Sequence, residues 1–331
     1  MTIQTRHPAQ QTSMRGFLER ERCPVCDAAG RRQLYAGDYT ASPIRDYLDM
    51  FYRHQGGVDI AALQGLQFVL DRCLGCELVY QRYVPGDEVA YQLYEVWIDP
   101  QKALANRPAE TGFRFFDDLS RQITAIIRHF DREPRELELL DFGMGWGDWC
   151  HMARAFGCAA SGMDLSPARI AHAKARGIPV LAWDDLSIRR FDFINAEQVF
   201  EHLTDPVAVL RHLAGALKPG GLLRICVPDG HDIEQRLKAA DWMAGPDSPK
   251  SLMSVAPLEH INTFSYRSLV DLAAAAGLVE TRLRPSRRSR DAILGLTLRD
   301  VAQPVRRAAQ WLRTGRRAGG TELVFERGTP G

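Results

Sequence analysis

The feature that most constrains this chain is a regular alternation of short apolar runs with helix-like segments from residue 136 onward. Strands that alternate with helices of this length form a parallel sheet with helices on both faces. The sequence therefore predicts an α/β fold for this part of the chain. The apolar runs are 137–143, 159–165, 178–183, 191–197 and 221–229, followed by 277–286 and 321–328.

A glycine-rich turn, LLDFGMGWG, follows the first apolar run, with Gly143, Gly145 and Gly147 at alternate positions. A phosphate loop needs a lysine and a hydroxyl residue after its last glycine, and a dinucleotide turn has the spacing G-x-G-x-x-G. The sequence has neither. Asp141 and Asp148 flank the turn and are expected to repel a pyrophosphate. We therefore predict a cofactor with cationic ammonium and sulfonium groups, S-adenosylmethionine.

Acidic residues also follow the second and third apolar runs. Asp164 is placed to accept hydrogen bonds from ribose hydroxyls, as an acid does in dinucleotide folds. Asp184 or Asp185 is placed to meet the adenine amino group, and Trp183 to cover the adenine ring. The alternative is that these acids only cap helices. Acids at three successive strand ends favour a ligand site, since ligands bind at the carboxyl ends of such strands.

These residues resemble a known family. The segments LLDFGMGWG, GMDLSPARIAHAKARG, FDFINAEQVFEHLTDPVAVLRHLAGALKPGGLLRICVPD and LEHINTFSYRSL are similar to class I S-adenosylmethionine-dependent methyltransferases. The resemblance covers about residues 136–284. It implies a Rossmann-like sheet of seven strands in which the last strand, matched by TELVFER, is antiparallel.

The resemblance also implies roles for individual residues. The three glycines pass under the cofactor, Asp141 lies near its methionine end, and Asp164 binds its ribose. At the end of the fourth strand, Ala196 and Glu197 face the methionine and the substrate. The predicted cofactor site also includes two neighbours of these residues, Met144 and Leu165.

Four of the seven cysteines form two CxxC pairs, Cys23 with Cys26 and Cys73 with Cys76. In a reducing compartment such pairs indicate a tetrahedral zinc site more than disulfides, and a site closed by four cysteines is structural. Four free cysteines are the alternative. The gap between the pairs is longer than that of a compact ribbon, so we expect a segment such as IRDYLDMFYRHQ to loop out as an insertion. Cys150, Cys158 and Cys226 are expected in the core.

The cysteine segment resembles the N-terminal zinc ribbon of some bacterial small-molecule and sugar methyltransferases. In those proteins the segment commonly covers the active site, which makes Tyr91, Tyr94 and Trp97 candidate lid residues. Plain packing of these aromatic residues is the alternative.

The stretch AEQVFEHLTDP after the fourth strand is the best candidate to contact the methyl acceptor. Methyl transfer requires alignment and, for a hydroxyl or carbon acid, removal of a proton. The candidate catalytic residues are His202, Glu197 and His260. A packing role for His202 and a structural hydrogen-bonding role for His260 are the alternatives.

Quinone-pathway O-methyltransferases look similar in this stretch, with a Glu-x-x-Glu-His pattern proposed to bind a divalent metal. Here the pattern begins with Gln198 and continues with Glu201 and His202, so the first acid is an amide. This difference argues against a catalytic metal on that pattern.

Composition restricts the partners. A formal net charge of +1 gives no indication of nucleic acid or an anionic membrane as a partner. No segment is long and apolar enough for a signal peptide or a membrane span, so a cytoplasmic location is the expectation. The Arg-rich segment 287–317 is expected to be a solvated helical face, with peripheral membrane contact or an acidic acceptor as alternatives.

We therefore predict four parts: a flexible N-terminus (1–20), a zinc-ribbon-like module (21–85), a helical connector or lid (86–135) and a methyltransferase domain (136–331). The predicted function is S-adenosylmethionine-dependent methyl transfer to a small-molecule or sugar-type acceptor. The alternatives are an RNA methyltransferase that docks nucleic acid with its zinc module, and a cofactor-binding protein that docks a partner without catalysis.

Overall fold

The structure is a computed structural model that describes residues 16–246, 248–283 and 320–328. Within these residues no helix is long and apolar enough to cross a membrane. The Arg-rich segment 287–317 lies outside the described residues, as does most of the predicted flexible N-terminus.

The helices and strands are numbered here in chain order. The strands are β1 Phe17–Glu19, β2 Arg31–Asp38, β3 Gln67–Cys73, β4 Val79–Gln81, β5 Tyr83–Pro85, β6 Glu138–Phe142, β7 Ala159–Met163, β8 Phe191–Glu197, β9 Leu217–Val227, β10 Asn262–Thr263, β11 Leu278–Thr281 and β12 Thr321–Arg327. The α-helices are α1 Ile44–Tyr52, α2 Asp87–Gln92, α3 Pro100–Glu110, α4 Phe113–Phe130, α5 Asp148–Ala155, α6 Pro167–Ala175, α7 Pro206–Gly215, α8 Ile233–Ala239 and α9 Tyr266–Ala275. Short 3-10 or π turns lie at Ile60–Leu63, Leu93–Trp97, Pro134–Glu136, Trp183–Ser187, Phe200–His202 and Met253–Val255.

The main sheet contains six described strands in the order β11-β12-β9-β8-β6-β7. Strands β7, β6, β8 and β9 are mutually parallel, and β12 is antiparallel to both of its neighbours. This arrangement confirms the predicted Rossmann-like sheet and its antiparallel last strand. It places the carboxyl ends of β6, β7 and β8 at one edge, where ligands bind in open parallel sheets.

The predicted strand 178–183 is almost absent, so the described residues form six full strands of this sheet in place of the expected seven. Only one parallel bridge remains there, between Gly162 and Val180. Pro179 has no N–H to donate to a ladder, and the chain enters a 3-10 turn at Trp183. The run is therefore too short to extend the pairing along the edge of β7.

The N-terminal cysteine segment forms a second sheet, in the order β10-β4-β3-β2. Strand β10 comes from the far end of the chain and pairs Asn262 with Tyr80. Three of the cysteines, Cys23, Cys73 and Cys76, lie with Leu78 and Tyr80 in the same hydrophobic cluster as residues of the main sheet. The small sheet therefore packs against the large one and is completed by a strand from the second half of the chain.

The segment IRDYLDMFYRHQ does not loop out as expected. Its first part forms α1, and Ile44, Leu48 and Tyr52 on this helix are fully buried. They pack in a core with α8 and with residues 252–258. The apolar positions recur at a spacing of four along one helical face, which explains why the segment folds against the core.

Candidate active site and cysteine cluster

The glycine turn after β6 is a tight backbone bend. Gly143, Gly145 and Gly147 have φ angles of 74°, 55° and 81°, a region that favours glycine. A Cβ atom at Gly143 would lie 2.4 Å from Cγ2 of Val199, and one at Gly147 would lie 2.6 Å from Cδ1 of Ile178. At Gly145 nothing lies within 4 Å of that position. The turn is therefore close-packed at its ends and open at its centre, as a cofactor cradle requires.

Asp164 lies beside this open centre. Its carboxylate accepts hydrogen bonds from the N–H of Gly145 and of Ser166, each at 2.9 Å. These contacts fix the acid at the end of β7 against the glycine turn. The next residue, Leu165, has 59% of its surface exposed, so an apolar side chain stands beside the acid. The acid could accept hydrogen bonds from ribose hydroxyls, and the exposed apolar side chain could contact the attached base.

Asp141 is buried at the end of β6 and belongs to a polar network. Its Oδ1 accepts a hydrogen bond from Nδ2 of Asn195 at 2.8 Å, and Oδ1 of Asn195 accepts one from Arg224 at 2.6 Å. Burial raises the pKa of Asp141 to about 7, against the opposing effect of Asn195. The carboxyl therefore titrates near neutrality.

Arg224, in the middle of β9, belongs to the same polar network, and sequence reasoning missed it. It donates to Oε2 of Glu197 at 2.8 Å and to Oε1 of Glu322 at 3.0 Å. Burial lowers the pKa of its guanidinium, but the charges of Glu197 and Glu322 raise it overall. The available signal was a single arginine inside the apolar run GLLRICV. Since the carboxylate of Glu197 is paired, it is better suited to orienting a ligand than to removing a proton.

Asp148 does not present an uncompensated negative charge to the turn. It forms ion pairs with Arg107 and with Arg176, the latter at 2.6 Å. Of the two acids expected to repel a pyrophosphate, only Asp141 is therefore without an arginine in direct contact among the described residues.

At the end of the shortened third strand, Trp183 and the two acids differ in their surroundings. Trp183 stacks on His212, with ring centroids 4.2 Å apart. Asp185 accepts a hydrogen bond from the N–H of Ala182 at 2.7 Å and so caps the turn. Asp184 is exposed. The geometry therefore favours Asp184 over Asp185 as the acid that contacts a base.

His202 and His260 are brought together from distant parts of the sequence, with ring centroids 5.1 Å apart. Nδ1 of His202 lies 2.9 Å from the carbonyl oxygen of Glu259 and 3.0 Å from the hydroxyl of Tyr94. Nδ1 of His260 lies 2.5 Å from the carbonyl oxygen of Met253. Burial lowers the pKa of His202 to about 3 and of His260 to about 4, so both rings are neutral at neutral pH.

This histidine pair adjoins the glycine turn. Val199, which fills the space next to Gly143, accepts a backbone hydrogen bond from the N–H of His202 at 3.0 Å. The segment also passes through Gln198, whose φ angle is 54°. Non-glycine residues in this region cost energy and often mark functional sites. The turn that carries His202 thus lies directly against the predicted cofactor cradle.

Two acids, Glu259 and Glu201, lie beside the histidine pair. The carboxyl of Glu259 accepts a hydrogen bond from the hydroxyl of Tyr52 at 2.5 Å, and it follows Leu258, whose φ angle is 72°. Glu201 is 1% exposed, and burial raises the pKa of its carboxyl to about 8. Sequence reasoning did not predict the hydrogen bond between Tyr52 and the carboxyl of Glu259. It also did not single out Glu201 as a site residue in its own right.

The three candidate lid residues have different positions. Tyr94 reaches His202, whereas Trp97 is buried in the N-terminal core and Tyr91 is 61% exposed. Tyr52 and Tyr94 both come from the N-terminal half of the chain. The histidine pair is therefore enclosed by residues from both halves.

The four cysteines of the two CxxC pairs converge on one point, with all four Sγ atoms within 4.8 Å of one another. Cys23 and Cys76 are 3.5 Å apart and Cys26 and Cys73 are 3.4 Å apart, too far for a disulfide bond. The hydrogen bond between Cys23 and Cys76 lowers the pKa of the Cys23 thiol and raises that of Cys76, so Cys23 is the member of the pair that more readily forms the thiolate. This donor set fits tetrahedral zinc. As expected, Cys150, Cys158 and Cys226 are buried.

A protein-family model described as a methyltransferase domain matches residues 113–282, which is more than half of the chain. The chain therefore belongs to the methyltransferase domain family. The match confirms the resemblance to S-adenosylmethionine-dependent methyltransferases.

Among curated relatives, a ubiquinone biosynthesis O-methyltransferase of Methylobacterium nodulans is 35% identical over 114 residues, covering 29% of this chain and 45% of the relative. A protein of the same name from Nitrobacter winogradskyi is 32% identical over 149 residues, covering 40% and 55%. The chain thus spans about half the length of the curated relatives it matches. A solved structure of the plantazolicin methyltransferase BamL, with a triazolic desmethylPZN analog and SAH, is 15% identical and covers 71% of this chain and 92% of its own, with a TM-score of 0.45.

Proposed function

We propose that this protein transfers a methyl group from S-adenosylmethionine to a small-molecule acceptor. The observation that carries the proposal is the direct contact between the glycine turn and the turn that bears His202, through Gly143 and Val199. A cofactor on the glycine turn would lie next to the histidine pair. Membership of the methyltransferase domain family supports the same reaction.

In this proposal the cofactor side consists of residues at the carboxyl ends of the sheet strands. Asp164 binds the ribose, Leu165 and Trp183 contact the adenine, and Asp184 accepts from its amino group. Asp141 and Glu197 orient the methionine end. The remaining cofactor contacts are assigned to Gly143, Met144, Gly145, Gly147 and Ala196.

The reaction proposed is an in-line displacement at the methyl carbon. A lone pair of the acceptor forms the new bond to carbon while the bond from carbon to sulfur breaks, which leaves S-adenosylhomocysteine as a neutral thioether. His202 and His260 are the candidates to accept the acceptor's proton, and because burial lowers the pKa of both imidazoles, the proposal requires an acceptor whose bound proton is itself acidic. Because the relatives are named as O-methyltransferases, a hydroxyl acceptor is the first class to test.

We also propose that Cys23, Cys26, Cys73 and Cys76 hold a structural zinc ion. The closed set of four sulfur donors leaves no position for a substrate, which supports a structural role. The ion would fix the small sheet, and through it the segment that carries Tyr94, against the histidine pair.

The experiment is transfer of a radiolabelled methyl group from S-adenosylmethionine into a fractionated small-molecule and RNA extract of the source organism. We expect label in a low-mass, nuclease-resistant fraction. Transfer should be lost in His202→Asn protein that still binds the cofactor. Label in a ribonuclease-sensitive fraction would contradict the small-molecule proposal, and a complete lack of transfer would favour a docking role.

A further inference from the structure

Arg20, directly after β1, bonds to the two turns that carry the candidate catalytic histidines. Nη1 of its guanidinium donates to the carbonyl oxygen of Ile261 at 3.0 Å, and Nη2 donates to that of Leu203 at 3.3 Å. Leu203 follows His202 in the chain, and Ile261 follows His260. One side chain therefore joins the residues that come immediately after both histidines.

Asn262, in β10, extends this contact. Its Oδ1 accepts a hydrogen bond from Nη1 of Arg20 at 2.9 Å. Its Nδ2 donates to the carbonyl oxygens of Phe200 and Leu203 at 3.0 and 2.7 Å. These two residues lie at the beginning of the turn that carries His202 and just after its end. Both ends of that turn are therefore bonded, directly or through Asn262, to the guanidinium.

The contacts of Arg20 use the planar shape of its guanidinium. A fourth bond runs from Nη2 to the carbonyl oxygen of Thr204 at 3.2 Å, so all four acceptors are neutral oxygens. Burial lowers the pKa of the group to about 10, so it keeps its full set of N–H donors at neutral pH. A lysine ammonium is a compact point charge on a flexible stem and lacks this rigid fork. The arginine is therefore suited to fixing two turns relative to each other.

The backbone of Arg20 is itself held by the N-terminal segment. Its N–H donates to the carbonyl oxygen of Arg82 at 2.8 Å, and its carbonyl oxygen accepts from Nη1 of Arg31 at 2.5 Å. The side chain of Arg82 donates to both carboxylate oxygens of the buried Asp71, at 2.8 and 2.7 Å. Cys23 of the cysteine cluster follows shortly after in the chain. The fork thus reaches the histidine turns from the part of the chain that the proposed zinc ion would fix.

Gln81, in β4, holds the second turn from the same side. Its Nε2 donates to the carbonyl oxygens of Ala256 and His260, both at 3.1 Å. Its backbone N–H donates to the carbonyl oxygen of Ile261 at 3.0 Å, so that oxygen accepts from Arg20 as well as from Gln81. The backbone around His260 is therefore fixed by two side chains that lie outside the main sheet.

We propose that Arg20 is a positioning residue for methyl transfer, whose guanidinium holds the turns of His202 and His260 in one fixed arrangement. Its effect on the reaction rests on the proposed function. A misplacement of reacting groups by about 1 Å lowers a rate on the order of 100-fold. The four bonds of Arg20 all go to the acceptor side. Loss of the fork should therefore lower the rate and leave cofactor binding intact.

The test compares Arg20→Lys with the matched control Arg45→Lys, at an exposed position of α1, in the whole zinc-loaded chain. In protein with ¹⁵N-labelled histidine, the unmodified chain and the control should keep both rings neutral down to about pH 5, because burial lowers their pKa values to about 3 and about 4. In Arg20→Lys the loosened turns should admit water, and both pKa values should rise toward the ordinary value of about 6.5. A role in stability alone would leave the histidine signals of the folded variant unchanged, and that result would overturn the proposal.

Two further readouts separate the positioning role from the proposed function. Calorimetric binding of S-adenosylmethionine should be the same in both variants and the unmodified chain. Transfer of label into the low-mass extract fraction should fall on the order of 100-fold in Arg20→Lys and stay unchanged in Arg45→Lys. If the histidine signals shift but the unmodified chain transfers no methyl group, the proposed function fails and the bond between the two turns stands. Undiminished transfer by Arg20→Lys would overturn its role in the reaction.

A measurement on the unmodified chain covers the case in which Arg20→Lys does not fold. In protein with ¹⁵N-labelled arginine, the guanidinium protons of Arg20 should exchange with water more slowly than those of Arg45, because hydrogen-bonded protons exchange only when the structure opens. Equally fast exchange at the two residues would show that the fork is not held, and would overturn the proposal.

Discussion

The cofactor side and the acceptor side of this site are built in different ways. The cofactor side consists of short local segments, each a strand end followed by a turn, so that Asp164 and the glycines occupy neighbouring strand ends. The acceptor side joins groups from four separate stretches: Tyr52, Tyr94, His202 and the pair Glu259 and His260. The cofactor side depends on one sheet, whereas the acceptor side depends on how the N-terminal segments that carry Tyr52 and Tyr94 pack against the turns that carry His202 and His260.

This comparison predicts that damage to the small sheet will separate the two sides. Removal of the proposed zinc ion by a chelator should release Tyr52 and Tyr94, because metal binding in small cysteine domains supplies on the order of 10 kcal/mol of folding free energy. We expect methyl transfer to be lost while S-adenosylmethionine binding, measured by calorimetry, remains. Cys73→Ala should behave in the same way, and Cys158→Ala, at a buried cysteine outside the cluster, should not. Equal losses of binding and transfer would contradict the separation.

The second prediction concerns Asp141 and pH. Its pKa is raised in the folded protein from the ordinary 3.8 to about 7, so the folded state holds this proton more tightly than the unfolded state. The protonated carboxyl therefore makes its full contribution to the free energy of unfolding below about pH 4. This contribution, on the order of 4 kcal/mol, is lost as the pH rises to about 7. Asp141→Asn should lack that decline in urea denaturation at several pH values. An identical pH dependence in the variant would show that Asp141 is ionised in the fold.

A third prediction uses two glycines of the same turn. Gly143→Ala should lower the free energy of unfolding by about 2 kcal/mol, because positive φ is costly for alanine and its Cβ would collide with Val199. Since Val199 begins the turn to His202, this variant should impair both cofactor binding and transfer. Gly145→Ala has a positive φ as well but open space around the new Cβ, so it should cost less. Denaturation curves of the two variants that coincide would contradict the close packing at Gly143.

The smallest effect is expected at Tyr94. Tyr94→Phe removes a hydroxyl 3.0 Å from Nδ1 of His202 but leaves the carbonyl of Glu259 in place. A single hydrogen bond contributes about 1 kcal/mol, so the transfer rate should fall roughly fivefold, with cofactor affinity unchanged. Tyr91→Phe, at an exposed tyrosine three residues earlier, is the matched control. A rate in Tyr94→Phe equal to that of the control would show that Tyr94 only packs.

The difference between the cofactor side and the acceptor side also explains which features could be predicted from the sequence. Periodicity was sufficient for the parallel sheet, and the family resemblance supplied its antiparallel last strand. The sequence also placed Asp164 at the end of the strand after the glycine turn, because strand ends depend on neighbours that are close in the sequence. The lost third strand was not predicted, since apolar character alone did not reveal the effect of Pro179. The burial of α1 and the contacts of Arg224, Tyr52 and Glu259 depend on packing between distant segments. No local pattern reports such packing.

The most direct test of the account is calorimetric titration of S-adenosylmethionine into three proteins: the unmodified chain, Asp164→Asn and His202→Asn. Since Asp164 is assigned to the ribose and His202 to the acceptor, Asp164→Asn should weaken cofactor binding about tenfold or more, as loss of a hydrogen bond to a charged group does. His202→Asn should bind as tightly as the unmodified chain. No binding by the unmodified chain, or equal losses in both variants, would contradict the division of the site into a cofactor side and an acceptor side.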